Sequence, residues 1–121
     1  MAFLNNLMDN EGNVVLQKFD GSTLPKILSD DKNCTKLCFL DLETTGLDKN
    51  EHKIIELAIK SVAIDKETGL FAGIIDEYQS FHDPKEPIDE KISQINGITN
   101  DMVNDQEIDW DIVHSIIDKA D

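Results

Sequence analysis

The sequence predicts an α/β fold in which a three-stranded antiparallel meander is followed by helices. Two observations predict this order. Apolar segments rich in β-branched residues fill the middle of the chain, and after Pro87 apolar residues recur at a spacing of three and four. With 121 residues, of which 40% are apolar, the chain can bury a core. This composition excludes an intrinsically disordered protein.

Three apolar segments are predicted to form the strands. Residues 36–41 are largely apolar, which predicts a central strand buried on both faces. Residues 54–64 predict the second strand, and residues 70–81 predict a third strand antiparallel to it, because the turn over residues 65–69 has hairpin length. The third strand should end at residues 83–87, since proline cannot continue a ladder.

Two amphipathic helices are predicted after the strands. Ile88, Ile92 and Ile95 lie three and four residues apart and indicate a short helix, which Asn96 and Gly97 should end. A second helix is indicated by six apolar residues on one helical face: Ile108, Ile112, Val113, Ile116, Ile117 and Ala120.

The domain organisation follows from these elements. Residues 1–35 are expected to be an N-terminal lead-in, with a short strand at Val14–Leu16, and residues 36–121 to be a partial domain. A three-stranded sheet covered on one side is thin, and the last helix would normally lead into another strand. We therefore interpret the chain as the first half of an α/β domain. The open sheet edge predicts a homodimer or aggregation.

The charge of the chain limits how it can bind nucleic acid. The formal net charge is −14, and all 11 residues counted as lysine or arginine are lysines. Proteins that bind long nucleic acids usually present a basic face. We expect either few, metal-mediated contacts or a basic surface in sequence not present here. No apolar run could span a membrane and the first residues lack a secretory leader, which predicts a cytoplasmic protein without membrane contact.

A pair of acids after the first apolar run is the strongest indication of chemistry. Asp41 and Glu43 lie two residues apart, so on a strand they point to the same side. Two such anions are costly unless a cation lies between them, and their oxygens suit Mg²⁺ or Mn²⁺. Two metal ions can hydrolyse a phosphodiester. Thr44 and Thr45 offer hydroxyl groups, and Gly46 allows the backbone to approach a ligand closely.

The extended motif resembles a known family. The string Asp41-Leu42-Glu43-Thr44-Thr45-Gly46-Leu47 is similar to the first motif of the DEDD-type 3′–5′ exonucleases, most closely to the DNA polymerase III epsilon (proofreading) group. Residues 52–57 and 95–103 resemble later segments of the same family. The resemblance covers roughly residues 36–121.

The resemblance implies a ribonuclease H-like fold, of which this chain is the N-terminal half. It also implies removal of terminal nucleotides from DNA by two metal ions, Mg²⁺ or Mn²⁺. In that scheme Asp41 bridges both ions and Glu43 holds one of them; the two are the catalytic residues. The residues implied to contact the substrate are Thr44, Thr45, Gly46, Asn96, Gly97 and Ile98. The implied partners are the 3′ end of single-stranded DNA, or of RNA, and a DNA polymerase subunit.

Some of the residues that the family's chemistry requires are absent from this sequence. The family needs two further aspartates and a histidine or tyrosine as general base. None of His52, His82 and His114 has an aspartate five residues later, as the family's third motif requires. We therefore expect an incompletely liganded metal site, and a chain that alone cleaves poorly or not at all. The alternative is a non-catalytic acidic interaction module that retains the front half of the fold.

Overall fold

The computed structural model describes residues 24–26 and 33–121. The strand expected at Val14–Leu16 lies outside the described residues. Within the described ranges, no helix has the length and apolar character needed to cross a membrane.

The three strands form one antiparallel sheet. They are β1 (Cys34–Thr44), β2 (Ile54–Asp65) and β3 (Phe71–Phe81), in the spatial order β1-β2-β3. The predicted meander is confirmed, with the bounds of β2 and β3 within one residue of the prediction. In the turn between β2 and β3, the Asp65 carboxylate accepts hydrogen bonds from the backbone N–H groups of Glu67 and Thr68.

Three helices follow: α1 (Glu90–Asn96), α2 (Asn100–Val103) and α3 (Trp110–Ile117). Asp89 caps the start of α1, and Asp109 caps α3 by accepting hydrogen bonds from the two backbone N–H groups that follow Trp110. Gly97 ends α1 with a φ of 77°, a left-handed conformation that glycine adopts at little cost. The two predicted helices are confirmed as α1 and α3, and the short α2 lies between them.

The core consists of two clusters. The first joins β2 to α3 and comprises Leu57, Ile59, Ile108, Val113 and Ile116. The second joins β2 to the region around α1 and α2 and comprises Ile55, Ile88, Ile98 and Val103. Two residues expected on the buried face of the last helix, Ile112 and Ile117, are each 43% exposed, because α3 is buried mainly through Val113 and Ile116.

The prediction that the first strand is buried on both faces is wrong. Phe39 is 60% exposed and Leu40 is 48% exposed. The physical reason is that α3 packs on β2 and β3, while β1 lies at the edge of the sheet. Among the described residues no strand pairs with the outer edge of β1, although the Asp121 N–H donates to the Lys36 carbonyl at 3.1 Å. The homodimer through this edge stays a prediction.

A carboxylate fastens the end of β3 to the loop before α3. The Asp83 carboxylate accepts hydrogen bonds from Lys85 Nζ at 2.8 Å, from the Lys85 backbone N–H at 2.7 Å and from the Asp105 N–H at 3.1 Å. The Asp83 N–H donates to the carbonyl of Gln106. The Lys85 side chain, followed by the two backbone donors, lowers the pKa of Asp83 to about 2.

We expect the substitution Asp83→Asn to remove a pH-dependent part of the stability. A carboxyl whose pKa is lowered by folding stabilises the fold above its unfolded pKa of 3.8, and this contribution is lost as the pH falls through about 2. Free energies of unfolding for both proteins, measured between about pH 5 and pH 2, should therefore converge toward the acidic end. The variant Lys85→Met removes the side chain that lowers the pKa of Asp83 most, and its free energy of unfolding should show part of the same convergence. Parallel curves would contradict the assignment.

Candidate functional site

Asp41 and Glu43 lie near the end of β1, on the sheet face that α3 does not cover. Asp41 is paired with Ala58 and Glu43 with Glu56, whereas the intervening Leu42 is paired with Leu57 of the first core cluster. Because side chains alternate along a strand, this register places both acids on one face, opposite the core. Asp41 is exposed and Glu43 is half-buried. Both carboxylates can therefore be reached from outside the protein.

A third acid lies beside this pair. Glu56 is directly opposite Glu43 in the ladder, and its Oε1 accepts a hydrogen bond from Gln79 Nε2 at 2.6 Å. Like charges directly opposite each other destabilise a sheet, and a bound cation would relieve the repulsion. In the part of the chain that the structure describes, no group of three or more His, Cys, Asp or Glu side chains could hold a metal ion.

The donor chemistry of Asp41 and Glu43 suits a hard divalent cation. Mg²⁺ is commonly held by one or two carboxylates, with water and substrate phosphate completing its coordination. Asp41 also borders a cavity of about 600 Å³, whose lining includes Phe39, Lys60 and Gln79. The two acids thus provide an open, partial site rather than a closed cage of protein ligands.

A bulge follows the acids directly. Glu43 is paired with Glu56, but the next residue, Thr44, is paired with Ile54, so Ile55 is an extra residue in β2. Ile55 is fully buried in the second core cluster, which also contains Ile98.

The turn after β1 is held by its own hydroxyl groups. The Thr44 hydroxyl donates to the Gly46 carbonyl at 2.6 Å. The Thr45 hydroxyl accepts a hydrogen bond from the Lys53 N–H at 3.0 Å, and the Thr45 N–H donates to the Lys53 carbonyl at 2.9 Å. These bonds fix the direction in which the chain leaves the acids.

The structure shows why residue 46 is a glycine, a reason that sequence reasoning missed. A Cβ atom at this position would lie 2.5 Å from Cδ2 and Nε2 of the His52 imidazole, a distance that real Cβ atoms do not show. His52 is itself held, because the Asp48 N–H donates to its Nδ1 at 3.0 Å. The missing side chain of Gly46 therefore makes room for a histidine. No local signal in the sequence pairs these two residues.

The other predicted substrate-contacting segment has a partly structural role. The Asn96 side-chain oxygen accepts a hydrogen bond from the Ile98 N–H at 2.9 Å, and Ile98 is only 3% exposed. Gly97 is exposed at the end of α1. Because Ile98 belongs to the same core cluster as Ile55, this segment is packed at the same end of the sheet as the acids.

An open groove of about 770 Å³ begins at the turn after β1. Thr44, Gly46 and Leu47 line one part of it, and Trp110 at the start of α3 lines another. Its lining also contains three lysines, Lys49, Lys53 and Lys85. Sequence reasoning missed this convergence, because Lys85 and Trp110 are distant from the turn along the chain.

Comparisons with known proteins identify the family to which the chain belongs. Residues 38–120 match the family model RNase_T, described as exonuclease. Over 66 residues the chain is 44% identical to the PolC-type DNA polymerase III of Halalkalibacterium halodurans, which covers 54% of this chain and 4% of that protein. Over 81 residues it is 38% identical to the PolC-type DNA polymerase III of Thermotoga maritima, which covers 65% of this chain and 5% of that protein.

One solved structure shows the same fold. A full-length 3′-exonuclease superposes with a TM-score of 0.51 at 22% sequence identity, covering 73% of this chain and 29% of the exonuclease. The chain thus spans a small part of the curated relatives and less than a third of this solved structure.

Proposed function

The chain belongs to the RNase_T exonuclease family, and from this premise we propose that it forms part of a 3′–5′ exonuclease domain and contributes the first two metal-binding acids. The resemblance to the DEDD exonucleases and the ribonuclease H-like α/β fold are confirmed. The proposal adds the direction of cleavage, the use of metal ions and the roles of individual residues.

The observation that carries the proposal is the placement of Asp41 and Glu43 together on an uncovered face at the end of β1. These two residues would hold Mg²⁺ or Mn²⁺. Such an ion, when bound, supplies fixed positive charge and a more acidic water molecule for phosphodiester hydrolysis. Glu43 is half-buried within the ladder, which restricts its side chain, whereas Asp41 is exposed and can adjust to a ligand.

The turn after the acids would orient the 3′ end. The Thr45 hydroxyl accepts from Lys53 and still has its own hydrogen to donate, and the Thr44 oxygen can still accept a hydrogen bond. We propose that these groups contact the terminal sugar, and that Gly97, which is exposed at the end of α1, contacts the terminal base. Single-stranded DNA is the proposed substrate, and the PolC-type relatives support an association with a DNA polymerase.

The test is degradation of single-stranded oligonucleotides by the 121-residue chain in Mn²⁺. We expect slow shortening of a 5′-labelled DNA strand from its 3′ end. EDTA should inhibit this shortening, and the variant Glu43→Gln should shorten the strand more slowly than the unchanged chain. The rate should be low, since a general base contributes about 10²–10⁴-fold and the chain lacks the family's third motif. The rate on an RNA strand of matching sequence, compared with the rate on DNA, measures the preference between ribose and deoxyribose.

Other results would contradict parts of the proposal. Shortening from the 5′ end would overturn the direction of cleavage. Rapid degradation that depends on Asp41 would overturn the expectation of an incomplete site. The absence of both metal binding and cleavage would favour a non-catalytic acidic interaction module.

A further inference from the structure

We propose that the groove lined by Lys49, Lys53, Lys85 and Trp110, here called the lysine groove, binds the single strand that leads to the 3′ end. The inference rests on the proposed function, because it states how the substrate of that same site is held. The occupant is single-stranded nucleic acid, with its phosphates near the lysines and a base against the tryptophan.

The first support is local charge. In a chain with a net charge of −14, three of the 11 lysines line one groove, whose acidic residues are Asp48 and Asp83. Asp83 is already engaged by Lys85 and by two backbone N–H groups. The Asp48 carboxylate accepts a hydrogen bond from the Asn50 N–H. The lysines therefore outnumber the acids of the groove by one.

The lysines can exchange their present partners for phosphate. Lys53 Nζ lies 3.2 Å from the Glu86 carboxylate and donates to the Pro84 carbonyl at 2.8 Å. The side chains of Lys53 and Lys85 are 48% and 71% exposed. Ion pairs between such exposed groups are weak, so a phosphate can compete for these ammonium groups.

The second support is an exposed aromatic ring beside the lysines. Trp110 is 40% exposed although it starts a helix that packs on the sheet. Leu47, on the same groove, is fully exposed. Proteins that bind single strands without sequence preference combine a positive groove with aromatic rings on which bases stack. The lysine groove contains both features.

The third support is continuity with the acids. Thr44 and Gly46 line the groove, and Thr44 follows Glu43 directly in the chain. Leu42, between the two acids, lines the groove from the other face of β1. A strand lying in the groove therefore needs to pass only the end of β1 to bring its terminal phosphodiester to Asp41 and Glu43.

Trp110 provides a specific readout, because it is the one tryptophan in the sequence. The experiment is titration of the chain with a short oligo(dT) in EDTA, followed by tryptophan fluorescence at several salt concentrations. We expect saturable quenching that weakens as salt rises, with a slope of log K against log salt of about −0.7 for each phosphate contacted.

Charge variants locate the contact. Lys49→Gln should weaken binding about fourfold at 0.15 M salt and reduce the slope by about 0.7, as expected for the loss of one phosphate contact. Lys91→Gln on α1 removes the same charge outside the groove and should leave both values unchanged. With a labelled oligonucleotide and an anisotropy readout, Trp110→Ala should weaken binding about fivefold or more. Thermal unfolding of each variant establishes that it is folded.

The outcomes separate this inference from the proposed function. Quenching that persists in Asp41→Asn supports a groove that binds independently of the metal site. Quenching without any Mn²⁺ binding would refute the proposed function and leave the binding groove standing. The inference is overturned if oligo(dT) does not quench Trp110, if quenching does not depend on salt, or if Lys91→Gln weakens binding as much as Lys49→Gln.

Discussion

Substituting Asp41 with asparagine is expected to abolish most Mn²⁺ binding by the chain. Asparagine keeps the shape of the side chain but removes its negative charge, and among the described residues no group of three His, Cys, Asp or Glu side chains is placed to compensate. Changes to residues that merely support metal ligands already cost about 10–100-fold in affinity, so the loss of a ligand should cost at least as much. Titration followed by electron paramagnetic resonance of free Mn²⁺ measures the affinity directly.

Matched variants make this result specific. Glu43→Gln should weaken binding in the same way, because Glu43 shares the uncovered face with Asp41. Asp101→Asn removes the same charge from the exposed surface of α2 and should leave the affinity within about twofold, since exposed charges are screened by salt. Unchanged affinity in Asp41→Asn, or an equal loss in Asp101→Asn, would show that the ions bind elsewhere.

Gly46→Ala is expected to destabilise the chain by about 1 kcal/mol, because the His52 ring must give up its hydrogen bond or the turn after β1 must shift. The new Cβ atom would lie 2.5 Å from the His52 ring, which the Asp48 N–H holds in place. Either the ring or the turn after β1 must move. Chemical denaturation gives the free energy of unfolding, and the oligonucleotide assay measures the displacement of the turn.

A double-mutant cycle tests this explanation. In a His52→Ala background, Gly46→Ala should cost much less, because the obstructing ring is absent. Gly69→Ala is the control: its Cβ atom would meet nothing within 4 Å, and its cost comes from a φ of +70°. Removal of His52 should leave that cost unchanged. Equal costs of Gly46→Ala in both backgrounds would refute the role of the histidine.

The sequence was sufficient for elements whose pattern is local. The apolar segments of β2 and β3, the hairpin between them and the glycine that ends α1 are short-range features, and all are found in the structure. The burial of β1 could not be predicted in the same way. An apolar strand indicates a covered strand, but whether another element covers it depends on contacts distant in sequence, and α3 packs on the other two strands.

The same distinction between local patterns and contacts distant in sequence applies to the candidate site. Asp41 and Glu43 were found because they belong to one short motif on one strand. The contact of His52 with Gly46 depends on how the loop folds back. The lysine groove joins residues from the turn after β1, the segment after β3 and the start of α3. Neither arrangement produces a periodic pattern or a motif in the sequence.

The bulge opposite Thr44 couples the acids to a distant part of the molecule. Ile55 is both the extra residue of that bulge and a fully buried member of the cluster beneath α1 and α2. Loosening of those helices would let the local pairing slip, and a slip of one position turns a side chain to the other side of the sheet. Substitutions at Ile88 or Val103 are therefore expected to weaken the proposed activity as the temperature rises, although neither residue touches a nucleotide in the proposed scheme.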